Sequence, residues 1–138
     1  MKRNKIKCFN RFILSYPVPF VHSEFCDKIM SMDGKIRFVG IVNSSGEVIA
    51  GGFQKDVEPL LEGTDEQELY VQSLTNMAIL NNFTDRLGKV YYQIAKHERV
   101  SLMTFPINNG ILCLSVSSKA NIDKIRDDIL NMIKNENA

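Results

Sequence analysis

The chain has 138 residues, 44% of them hydrophobic and 24% charged, with a formal net charge of +1. A chain of this length buries roughly two thirds of its unfolded surface and holds a core without disulfides or metals, so a single soluble globular domain is expected and fibrous or disordered classes are excluded. Charge is unevenly spread: Lys2, Arg3, Lys5, Lys7 and Arg11 precede every acid, and removing those five from the 17 basic residues leaves 12 against 16 acidic ones. An acidic body excludes nucleic-acid binding through the main domain, because phosphate contacts need a clustered basic face.

Residues 1–20 form a basic, proline-containing extension, and residues 21–138 the domain. The extension starts like a signal peptide, but its apolar stretch Phe12 to Val21 is short, carries Pro17 and Pro19, and lacks a small-residue cleavage site, so it is neither a signal nor a transmembrane segment. Three readings stay open: a basic arm touching an acidic partner or membrane surface, an extended segment packed on the domain, or translated sequence upstream of the true start.

In "HSEFCDKIMSMDGK", Ser23 offers an N-cap, and Phe25, Ile29 and Met32 form a helical stripe ending at Gly34. Period-two alternation from Ile36 to Asn43 then predicts a strand covered on both faces. In the turn "NSSGE", Gly46 suits a positive φ, and Val48 to Phe53 returns as a second strand. Gly51-Gly52 is followed by no phosphate-binding pattern, so it reads as a flexible hairpin exit.

Asp56, Glu58, Glu62, Asp65, Glu66 and Glu68 form an acidic run that complements the N-terminus of the next helix. The spacing predicts that helix over Glu66–Leu87, with Leu69, Tyr70, Leu74, Met77, Leu80, Phe83 and Leu87 along one side. Val71, Ala78 and Ile79 widen its apolar surface past a single stripe, which asks for a partner or for cover from the leader or first helix.

Three more strands follow: Tyr91 to Lys96, Val100 to Ile107 and, after the hairpin signal Asn109-Gly110, Ile111 to Ser117. Asn121 then caps a last helix with Ile122, Ile125, Ile129, Met132 and Ile133 at helical spacing. His97, beside Glu98 in a turn, has no Ser or Cys nucleophile near it in sequence. Cys8, Cys26 and Cys113 lack metal or redox spacing and read as reduced cytosolic thiols, while His22 and Cys26 alone are too few to hold a metal. No catalytic residue, cofactor site or metal site is expected.

The order α-β-β-α-β-β-β-α implies an α+β fold with one antiparallel sheet of four to five strands flanked by the long middle helix and the N- and C-terminal helices. The opening "GIVNSSGEVIAGG" and the closing "LMTFPINNGILCLSVSSKANIDKIRDDI" resemble the first hairpin, last hairpin and C-terminal helix of roadblock/LC7 domains, a profilin-like group. The "KIRFVGIVNSSGEVIAGG" opening is also similar to that of short, uncharacterised archaeal proteins. The roadblock resemblance covers Ser23 to Lys134. It implies a non-catalytic homodimer acting as a cytoplasmic scaffold or regulator of a small Ras-like GTPase, with Leu69, Tyr70, Leu74, Met77, Leu80, Phe83 and Leu87 as the dimer or partner surface. The basic leader and the acidic link from Asp56 to Glu68 depart from that pattern. An alternative is a profilin- or PAS-like small-molecule sensor whose pocket is lined by Tyr70, Phe83, Tyr91 and Tyr92. An enzyme using Asp, Glu, His97 or Cys113 has the least support.

Overall fold

The computed structural model describes residues 22–136; the basic leader lies outside the described residues. Nine elements follow in order: α1 (His22–Met30), β1 (Ile36–Asn43), β2 (Val48–Phe53), α2 (Thr64–Asn81), α3 (Thr84–Leu87), β3 (Gln93–Lys96), β4 (Val100–Ile107), β5 (Gly110–Ser117) and α4 (Ile122–Glu136). The strands make one antiparallel sheet in the order β2-β1-β5-β4-β3. This is the predicted α+β arrangement, with the middle helical stretch divided into α2 and α3.

Strand position follows composition. β1 and β5 are apolar on both faces and lie inside the sheet, while the short β3 and the partly exposed β2 take the edges. Joining the first and last hairpins through β1 and β5 also pairs Val39 with Leu114 and Ile41 with Leu112.

The β1–β2 turn forms as its residues dictate. Asn43 Oδ1 accepts the backbone N–H groups of Ser45 and Glu47, both at 3.0 Å, and Gly46 takes φ 89°. Gly51, at φ 100°, is part of β2 and not a flexible exit. A Cβ built on it would lie 2.0 Å from the Val39 carbonyl oxygen, so the two strands approach where a side chain is missing.

The two sheet faces differ. On one, Phe25, Cys26 and Ile29 of α1 and Ile125 and Ile129 of α4 close over Val39, Ile41, Met103, Phe105, Leu112 and Leu114, all essentially buried. Each such large side chain contributes about 1.5–3 kcal/mol relative to exposure, so this is the main core. The opposite face carries Phe38, Val42, Ile111 and Cys113, covered by Tyr70 and Met77 of α2.

Two helix boundaries differ from expectation. α1 stops at Met30, where the Ser31 hydroxyl donates to the Lys28 carbonyl at 2.9 Å and a turn leads to β1; Ser23 falls inside the helix, which spans His22–Met30 among the described residues. The long helix expected over Glu66–Leu87 starts at Thr64 and breaks after Asn81. There the N–H groups of Asn82 and Phe83 bond three residues back, to Ile79 and Leu80, and the Thr84 hydroxyl donates to the Asn81 carbonyl at 2.8 Å. Asn and Thr favour such local bonds over continuing a helix.

Candidate functional site

Helix α2 begins after Gly63, whose φ is 59°, and carries Asp65 and Glu66 in its first turn, where the helix dipole favours them. Gln67 Nε2 donates to the Gly46 carbonyl at 2.9 Å, tying the helix start to the β1–β2 turn. Tyr70 then stacks on Phe38, with ring centroids 6.0 Å apart, and its hydroxyl donates to Glu66 Oε2 at 2.8 Å. Burial and that carboxylate both push the Tyr70 phenol upward, so it stays a neutral donor.

The apolar residues predicted for one side of this helix are divided by the structure. Tyr70 and Met77 are buried against the sheet at 5% and 3% exposure, and Leu74 packs beside them. Leu69 and Leu80 are half-buried on the flank. Phe83 and Leu87 lie past the break in α2 and are 50% and 79% exposed. On α2 itself, Val71 and Ile79 are 45% and 51% exposed. Helix α1 packs on the other side of the sheet and so does not cover them.

Because α2 shields only part of its face, a cleft of about 420 Å³ remains between its first two turns, the 54–63 loop and the β3–β4 turn. Its floor includes Phe38, Leu102, Thr104, Cys113 and Ser115, and Leu60, Leu61 and Leu69 wall it. At the sheet end stand Arg37, His97 and Arg99. Arg37 Nη2 donates to the Glu58 carbonyl at 2.9 Å, which holds the loop in place. Of the aromatics expected in a pocket, only Tyr70 lines this cleft. Tyr91 is exposed, and Tyr92 lies near Phe105, with the Arg126 guanidinium 5.5 Å above its ring. Sequence reasoning missed Arg37, Leu60, Leu61 and Arg99 as lining residues, since loop and strand ends meet there only through the sheet order.

Burial pushes the Cys113 thiol up to about 12, so it is not a thiolate nucleophile near neutrality. Cys26, behind the sheet, is pushed up to about 12 by burial, with Asp27 adding to the shift. Among the described residues no three His, Cys, Asp or Glu side chains are grouped to hold a metal. No helix among them is long and apolar enough to cross a membrane.

Solved structures share this architecture. A roadblock/LC7 domain from Streptomyces avermitilis superposes with a TM-score of 0.61 at 8% identity, covering 81% of this chain and 93% of its own. The gliding protein MglB from Thermus thermophilus gives 0.64 at 15% identity, covering 88% and 92%. A profilin from Schizosaccharomyces pombe gives 0.53 at 14% identity, covering 83% and 98%. Comparison with curated protein sequences finds no match. Over residues 20–137 the sequence matches the model of a family of unknown function, DUF6659, and the chain belongs to that family.

Proposed function

We propose that the chain is a non-catalytic scaffold module of roadblock type, a cytoplasmic homodimer that binds or regulates a small Ras-like GTPase. The observation that carries this reading is the row of exposed apolar side chains Val71, Ile79, Phe83 and Leu87 on α2 and its continuation. Large apolar groups exposed together on one element favour association. The edge of β3, which among the described residues pairs only with β4, supports the same reading, since an unpaired strand edge accepts a further strand. The surface proposed here therefore keeps Phe83 and Leu87, adds Val71 and Ile79, and leaves Tyr70, Leu74 and Met77 to the core.

Light scattering across a concentration series tests it. The full chain is expected at twice its monomer mass, and Ile79→Asp with Phe83→Asp is expected to shift it to monomer without unfolding, both positions being exposed. A wild-type monomer at every concentration ends the homodimer reading. The partner is tested separately, by binding immobilised chain to Ras-like GTPases loaded with GDP or a GTP analogue. Absence of binding in both states removes the GTPase and leaves the self-association result standing.

A further inference from the structure

We propose that the cleft beside α2 binds a small organic anion, a molecule with an apolar body and a carboxylate headgroup. Its volume, about 420 Å³, falls in the range that encloses small-molecule ligands. Phe38, Phe53, Leu60, Leu61, Leu69 and Leu102 supply apolar walls. At the sheet end, the Arg37 and Arg99 guanidinium groups supply hydrogen-bond donors.

Arg37 reaches the cleft from the start of β1 and Arg99 from the β3–β4 turn. Arg37 bonds the Glu58 carbonyl through one nitrogen, and the Arg99 guanidinium makes no hydrogen bond or ion pair among the described residues. Two carboxylates also line the site, yet neither answers these cations. Glu66 accepts the Tyr70 hydroxyl at 2.8 Å, and Glu98 forms no ion pair among the described residues. Two guanidinium forks at one end of an apolar cleft match a carboxylate, which each can hold through paired N–H donors.

Decanoate is the probe, titrated calorimetrically into the full chain below its own aggregation concentration, with 1-decanol as the uncharged control. Saturable binding of one decanoate per chain is expected, weakened about tenfold by Arg99→Gln and by Arg37→Gln, with decanol binding less tightly by a similar factor. Arg99→Gln decides the matter if Arg37→Gln loosens the 54–63 loop, because the Arg99 side chain has no hydrogen bond or ion pair among the described residues to lose. Absence of saturable binding overturns the proposal, as does binding that ignores the charge of the probe or the two arginine changes. Exclusion of the probe wherever the chain is dimeric assigns the cleft to the second copy and overturns it too.

Discussion

Gly51 and Gly52 are neighbours with opposite structural demands. Adding a Cβ at Gly51 places it 2.0 Å from the Val39 carbonyl oxygen on a backbone at φ 100°, whereas a Cβ at Gly52 meets nothing within 4 Å. Gly51→Ala is therefore expected to destabilise the fold by at least about 2 kcal/mol, and Gly52→Ala to stay within about 0.5 kcal/mol, as read by urea denaturation. Equal effects would show that the β1–β2 approach tolerates a side chain. A Gly-Gly pair after an apolar run looks the same whether it loosens a chain or lets two backbones close together, and only the register separates the cases. Tyr70 poses a similar problem. Helical spacing put it on an apolar side, but spacing cannot say whether that side meets the chain's own sheet or another molecule.

At the scale of elements, the sequence carried most of the answer wherever one local interaction dominates. Asn43, Gly46 and the pair Asn109-Gly110 each mark a turn through backbone preferences that need no tertiary partner, and both hairpins formed where those residues stand. Asn121 belongs with them: its Oδ1 accepts the Lys124 N–H at 3.1 Å at the start of α4. Asn121→Ala is expected to cost about 1 kcal/mol, while Asn121→Asp or Asn121→Ser retains most of the stability, a contrast that thermal melts resolve. An alanine variant as stable as wild type would mean that packing of Ile125 and Ile129 alone fixes the helix start. The break after Asn81 was less legible, because apolar spacing continues through Phe83 and Leu87 while the backbone follows the Asn-Asn and Thr84 bonds. The cleft was illegible for a larger reason: its lining comes from β1, β2, β4, β5, α2 and two loops, and the strand order that gathers them is a property of the assembled sheet.

At the scale of the molecule, the described residues form a sheet with one well-covered face and one thinly covered face, and that asymmetry links stability to the proposed function. Two helices seal the side holding Met103, Phe105, Leu112 and Leu114, while α2 reaches the other with two buried side chains, Tyr70 and Met77, beside the half-buried Leu74. Local opening should follow apolar contact, so amides of β1 and β5 are expected to exchange with solvent at rates near global unfolding, and those of α2 markedly faster. The proposed association through Val71, Ile79 and Phe83 would change this in a measurable way, because a partner that binds only the docked helix lowers its opening in proportion to occupancy. Hydrogen exchange recorded at low and high protein concentration should thus slow in α2 and β3 with little change in α1 and α4. Slowing confined to α1 and α4 would move the contact to the other face of the sheet. Concentration-independent exchange throughout would leave α2 as a weakly held cover over a cleft, a state compatible with the organic-anion site but not with a homodimer built on this helix.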